Sequence, residues 1–414
     1  HPTSTAAPTT TDATKPPPPR ADSSLPPREA FFGNPERGSP RISPDGKHLA
    51  FLAPRDGVLN VWVGPPDDIT KAKVVTQDDK RGIRQYAWTF DGKHLVYVQD
   101  KDGDEDFHVY AVDVAEGATR DLTPKEKIRA DIAGLSDRVP GKIVLSINDR
   151  DPRHHDLYEV DLATGASKKV FQNDEGYAFV LDRDLKVRIA SKVLPNGGVA
   201  FHQVNEKAVT KPLFEVGPED AMTTGAAGFD AKGKALYFLD SRGRDKSALV
   251  TVDRLTGKAA TTIHEPAKAD VSDVLRHPKD GTVQAVASNP LRTEWTFLDK
   301  EVERDFEALL KIERGDPFVA SRTLDDRTWI VGYNRDDGPQ RFYSFDRKTK
   351  TSKFLFSVKP EAEKLPLVRM HPAVIKARDG LELPSYLTLP EAADPDGDGT
   401  PSQASPLVLV VHGG

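Results

Sequence analysis

The 414-residue sequence contains no cysteine. Disulfide staples, thiolate zinc sites, iron–sulfur clusters and a cysteine nucleophile are excluded together. An excess of one charge is also lacking: 58 Lys and Arg stand against 64 Asp and Glu, a net charge of −6. Polyanion-binding surfaces usually need a clear basic excess, so no nucleic-acid partner is expected. Aromatic residues are sparse, at 7%. The apolar run LVLVV at 407–411 falls far short of the roughly 20 residues a spanning helix needs, and no membrane span is expected. No Asn-x-Ser/Thr sequon occurs, which removes N-glycosylation.

What is present is organised. The chain opens on His1 rather than Met, as a processed chain or a piece of a longer one would. Residues 1–28 are mostly Pro, Thr, Ala and Ser, with too little apolar surface to offset the entropy of ordering. They read as a disordered or extended tail. Such a tail often follows a cleaved export signal, which would give a secreted or periplasmic location; on composition alone, a floppy N-terminus with no targeting meaning fits equally well.

From about Ser39 the sequence repeats itself. A turn signal followed by an alternating or apolar strand recurs at Ser43, Phe90, Asp137, Leu181, Phe229, His277 and Leu324, with spacings of 47, 47, 44, 48, 48 and 47 residues. A strand-built period of this length indicates a seven-bladed β-propeller with about four strands per blade. In the second blade, 86–90 reads as the inner strand, Asp91-Gly92 as its turn, and 95–99, 108–114 and 119–122 as the remaining strands. In the fifth, the turn 230–233 leads to strands at 235–239 and 248–253, and Thr256-Gly257 turns the chain again. One helix is expected, over 299–314, with Val302, Phe306, Leu309 and Leu310 at helical spacing against the propeller rim.

The period ends near Phe356. Beyond it, two strands joined by the Asp379-Gly380 turn precede a third, more buried strand at 407–411. An all-apolar strand is typical of a sheet covered on both faces. It runs into His412-Gly413-Gly414, the kind of turn that in α/β-hydrolases helps build an oxyanion hole, because glycine lets backbone N–H groups approach a substrate carbonyl.

The second-to-third-strand loops (100–108, 148–156, 240–247 and 334–341) supply a second group of candidates. Gathered on one propeller face, Arg150, Arg153, Arg242, Arg244, Arg335 and Arg341 would offer forked donors to peptide carbonyls or a terminal carboxylate. The alternative is that they are solvated turns or form salt bridges with neighbouring Asp residues. Two acidic stretches resemble calcium loops and fail. Asp394, Asp396, Asp398 and Gly399 have Ser405 where the bidentate Glu belongs, and Asp100, Asp102 and Asp104 are followed by Glu105 and Ala111 at the positions needing Gly and Glu. His154 and His155 are adjacent on a strand, face opposite ways and do not readily share an ion. Neither metal nor cofactor is expected.

The repeat and the long stretches FFGNPERGSPRISPDGKHLAFLAP, WTFDGKHLVYVQDKDGDEDFHVYAVD, NDRDPRHHDLYEVDLATG, WIVGYNRDDGPQRFYSFDR and MHPAVIKARDGLELPSYLTLP resemble the prolyl oligopeptidase family of serine peptidases. Within it they are most similar to the acylaminoacyl-peptidase and dipeptidyl-aminopeptidase-like branch. The resemblance implies a substrate-gating propeller joined to an α/β-hydrolase domain. It also implies that Gly413 and Gly414 belong to the oxyanion loop, with the amide of Gly414 the better donor. No Gly-x-Ser-x-Gly elbow occurs in the chain, and no two glutamates are adjacent. The triad and the glutamate-pair substrate anchor of the dipeptidyl-peptidase branch therefore find no counterpart here, and this stretch alone is expected to be inactive.

The resulting expectation is an all-β chain: a tail at 1–28, a propeller at 29–365 and the first strands of an incomplete α/β-hydrolase domain at 366–414. Its partners would be a peptide substrate and the remainder of the hydrolase domain; self-association is left open. The full protein would hydrolyse short peptides by Ser-His-Asp acyl transfer. Two other readings compete: a non-catalytic propeller binding a protein or peptide, and a channel lyase or glycosidase using carboxylates such as Asp104 and Glu105.

Overall fold

The computed structural model describes residues 26–205, 208–230 and 232–411. The expected tail at 1–28 thus lies almost wholly outside the described residues. Residues 26–33 carry one short helix, Arg28–Phe32, and form a unit of their own.

The rest is built from antiparallel sheets, and the reason lies in the repeated turns. In the first, second, fifth and seventh repeats an Asp side chain accepts a hydrogen bond from an N–H further along the turn: Lys47 to Asp45 at 3.1 Å, Lys93 to Asp91 at 2.9 Å, Lys234 to Asp230 at 2.7 Å and Arg327 to Asp325 at 3.1 Å. Gly92 follows Asp91 at φ +72°, a left-handed conformation costly for any residue with a Cβ. Each turn reverses the chain between the first and second strands of a sheet.

Six sheets have four strands in sequential order. They are blades 1 (38–74), 2 (86–121), 3 (130–171), 4 (178–216), 5 (225–264) and 7 (316–357). Blade 6 (271–297) has three strands among the described residues. In blade 2 the observed strands are Tyr86–Trp88, His94–Gln99, His108–Asp113 and Thr119–Asp121, within two residues of the expected bounds.

Seven apolar clusters join consecutive blades. Val61 and Trp88 belong to the cluster between blades 1 and 2, and Val96 and Ile143 to that between 2 and 3. Leu157 and Ala190 link 3 with 4, Phe201 and Phe238 link 4 with 5, and Leu249 and Val286 link 5 with 6. Ala285 and Trp329 link 6 with 7, and Ile330 and Leu49 link 7 back to 1. The ring closes without exchanging a strand between its first and last sheets. Besides apolar contact, the N–H of Ile42 donates to Ser321 Oγ at 2.9 Å, and that of Leu324 to the Pro44 carbonyl at 2.8 Å. A seven-bladed propeller is the fold.

The expected helix is present as Lys300–Leu309, shorter than 299–314. Asp299 caps it by accepting from the N–H of Glu301 at 2.8 Å, and Tyr333 Oη donates to the Leu309 carbonyl at 2.8 Å. It follows the third strand of blade 6, where other blades place their fourth strand. Val302, Phe306 and Leu309 are buried as expected, whereas Leu310 is 63% exposed because the helix stops before it.

After blade 7 the strands Met370–Lys376 and Glu382–Thr388 form a hairpin, with Gly380 at φ +91° in its turn. Residues 407–411 depart from expectation. They pair with no strand, and their side chains are 77–86% exposed. A strand is defined by its neighbours, and among the described residues nothing pairs with this one. Gly413 and Gly414 lie outside the described residues, as does His412.

Candidate functional site

In an antiparallel blade, the start of the first strand and the loop between the second and third strands lie at the same end. The first strands are innermost, where those of neighbouring blades approach one another. One face of the ring therefore carries all second-to-third loops together with the linkers that lead from one blade into the next.

The C-terminal hairpin is tied to this face at blades 6 and 7. Arg292 Nη2 donates to Asp336 at 2.6 Å and to the Met370 carbonyl at 3.1 Å, while the Met370 N–H donates to Asp336 at 3.2 Å. Tyr386 Oη donates to the Leu291 carbonyl at 2.6 Å. Burial would raise the carboxyl of Asp336, yet the Arg292 and Met370 hydrogen bonds hold it below the usual carboxylate range.

The six loop arginines all have carboxylate partners. Arg150 makes two 3.0 Å contacts to buried Asp156 and another to the Asn173 carbonyl at 2.9 Å. Arg153, 78% exposed, folds onto Asp151 at 2.9 Å. Arg242 grips Asp240 at 2.8 and 3.0 Å and stacks over Phe214 at 4.4 Å. Arg244 lies 3.4 Å from Glu265 and 3.8 Å from Asp240. Arg335 and Arg341 share Glu363, at 3.0 Å and at 2.8 and 2.6 Å, and Arg341 also reaches Glu313 at 2.8 Å. The structure thus brings these arginines together in pairs, within blades 3, 5 and 7, with their forks already occupied by neighbouring acids. A substrate would have to compete with those acids.

A different set of cations is available on the same face. A cleft of about 360 Å³ opens between blades 2 and 3, lined by Arg81, Arg84, Asp100, Phe107, Arg129 and Asp131 among others. Arg81 lies 3.5 Å from Asp100. Arg84 makes no ion pair or hydrogen bond among the described residues. Among the described residues Arg129 has no acidic partner within salt-bridge reach, and its guanidinium lies over the Phe107 ring at 5.3 Å. Burial pushes the imidazole of His155 down, and the charge of Arg129 adds to that effect. Arg84 and Arg129 sit in linkers before first strands, not in second-to-third loops, and a reading confined to those loops misses them. The signal was the antiparallel topology itself, which puts both kinds of connection on one face.

The acidic stretches behave as loops. The Asp394, Asp396 and Asp398 oxygens lie within 4.8 Å of one another. Asp394 accepts from the N–H groups of Asp398 and Gly399 at 3.0 and 3.1 Å and lies 3.3 Å from His371. Asp102 is engaged by Lys80 at 2.8 Å, and Asp104 accepts from the N–H of Asp106 at 3.0 Å. Nδ1 of His154 is buried without a hydrogen-bond partner among the described residues.

No family model matches the chain. Over 388 residues it is 45% identical to dipeptidyl aminopeptidase BIII of Pseudoxanthomonas mexicana, an alignment covering 94% of this chain and 56% of that protein. The sequence likeness to a dipeptidyl aminopeptidase thus runs through nearly the whole of this chain. Over 418 residues the chain is 28% identical to dipeptidyl peptidase family member 6 of Caenorhabditis elegans, with the same coverage of 94% and 56%. It therefore spans about half the length of the curated relatives it matches. Solved structures agree on the fold. A prolyl endopeptidase superposes with a TM-score of 0.58 at 14% identity, over 88% of this chain and 57% of that one. Porphyromonas gingivalis dipeptidyl peptidase 4 gives 0.52 at 12% identity, over 87% and 65%.

Proposed function

We propose that the chain is the substrate-gating propeller of a serine peptidase that cleaves short peptides by Ser-His-Asp acyl transfer. The triad would lie in sequence beyond residue 414, since no Gly-x-Ser-x-Gly occurs within it. The observation that carries this reading is 45% identity to a dipeptidyl aminopeptidase across 94% of the chain. The loop face supports it: a hairpin is hydrogen-bonded there, and Arg84 and Arg129, unpaired among the described residues, offer donors to the carbonyls or carboxylate of a peptide. Propeller, hairpin and hydrolase remainder form the proposed division at about residue 365, with Gly413 and Gly414 in the oxyanion loop. The composition of residues 1–28 supports a secreted or periplasmic setting.

The test is an assay of the full-length protein on chromogenic dipeptidyl amides, their N-acylated analogues and a folded protein substrate. Hydrolysis of the short amides with the folded protein left intact is the expected result. A folded full-length protein that cleaves none of them would overturn the proposal and leave a peptide-binding propeller.

A further inference from the structure

The opposite face of the ring holds a second set of arginines. Arg276 is the last residue of the first strand of blade 6, and Arg322 occupies the same place in blade 7. Arg183 lies in the first turn of blade 4. All three therefore sit at the end of the central channel where the first strands turn outward. At this end a cavity of about 320 Å³ is lined by Arg41, Trp88, Pro278, Ser321 and Arg322, among others.

Arg276 is the unusual member. It reaches from blade 6 onto the first strand of blade 5, where the register shifts between Ala226 and Gly228. Gly228 is at φ +105°, and a Cβ built there would meet Arg276 Nη1 at 2.2 Å. A glycine thus clears the space that the guanidinium occupies. Yet Arg276 makes no hydrogen bond or ion pair among the described residues.

The neighbouring acids are already engaged. Asp137 takes Arg183 Nη2 at 2.5 Å, Asp182 takes Arg188 at 2.5 Å, and Asp280 accepts from the N–H of Thr282 at 2.9 Å. Asp326 holds Arg322 at 3.1 Å and Arg347 at 2.5 Å. Arg183 Nη1 is itself buried with no hydrogen-bond partner among the described residues. Burial is what chiefly disfavours the charge of Arg276; Tyr237 partly offsets it, and Arg183 and Arg322 repel it further. A desolvated cation without an anion is costly, and a cradle shaped to hold one implies a ligand that offsets the cost.

We propose that Arg276, with Arg183 and Arg322, forms an oxyanion-binding site at the turn end of the channel. Its ligand is a phosphate or the terminal carboxylate of a short peptide, either of which matches a guanidinium fork. The site lies on the face away from the hairpin and stands independently of the peptidase reading.

The test is thermal unfolding of the full-length protein and its Arg276→Gln variant, in phosphate and in chloride at equal ionic strength. Triglycine and triglycinamide serve as further probes. Neither readout depends on catalysis. Phosphate should raise the wild-type melting temperature, and the variant should lose that increment. Without phosphate the variant should melt no lower than the wild type, because it discards a half-buried charge that has no partner among the described residues. Stabilisation by triglycine but not its amide, again lost in the variant, assigns a peptide terminus. Stabilisation by phosphate alone assigns a free or esterified phosphate. A variant that keeps the increments, or one that melts well below the wild type in chloride, overturns the site and makes Arg276 a structural residue.

Discussion

Trp88 Nε1 donates to the main-chain oxygen of Arg41 at 2.9 Å, bridging two residues 47 positions apart, one repeat of the chain. Tyr86 Oη does the same to Ser39 at 2.7 Å across the same interval, and Ser136 Oγ reaches the carbonyl of Arg183 in the next blade. The blades are therefore joined by side chains that satisfy main-chain acceptors on a neighbouring inner strand or in the turn that follows it, in addition to the apolar clusters between them.

Replacing Trp88 with Phe keeps a ring in the cluster and strands the Arg41 carbonyl. A loss of about 1–3 kcal/mol is expected, since an unmet acceptor costs more than a hydrogen bond contributes. Urea unfolding at constant m-value checks it.

Asp305 is fully buried on the helix and accepts from Arg347 at 2.7 Å, with Lys350 as a second partner. Asp305→Ala takes the acid from half-buried Lys350 and one of two acids from Arg347, which keeps Asp326 at 2.5 Å, and should cost about 1.5–3 kcal/mol at the junction of blades 6 and 7. Exposed Arg153→Ala should leave the melting temperature unchanged. Calorimetry of both variants separates the two cases.

Glu363 binds Arg341, Ser357 and Arg335, and chiefly the Arg341 hydrogen bond holds its carboxyl down to about 2. A carboxyl depressed in the folded state stabilises above its unfolded value, near 4.5, and that stability disappears as pH falls toward 2. Acid titration of unfolding should show this loss, and Glu363→Gln should flatten the profile across that window.

Arg84→Gln and Arg129→Gln in the full-length protein should each raise KM for a short peptide roughly tenfold with little change in kcat. A charged hydrogen bond made equally to substrate and transition state has that signature. Steady-state kinetics would show it; a fall in kcat at constant KM would place the two residues elsewhere in the mechanism.

The propeller was legible because its turn chemistry is local: Asp45, Asp91, Asp230 and Asp325 cap their own turns within a few residues. The helix was legible from the spacing of Val302, Phe306 and Leu309, while its end before Leu310 depends on Tyr333 from another blade. Residues 407–411 read as a covered strand from their own apolarity, but covering requires neighbours that no local pattern supplies. The site was harder to read. Pairing of Arg335 and Arg341 with Glu363 joins residues more than twenty positions apart, and the lack of partners for Arg84, Arg129 and Arg276 among the described residues follows only from which acids other residues have already taken.

The most direct measurement is labelling of the full-length protein with a fluorophosphonate, with residues 1–414 alone as the comparison. One labelled serine beyond residue 414, together with no labelling of the shorter chain, is the predicted result. A folded full-length protein that takes up no label, or a label within residues 1–414, would contradict the account.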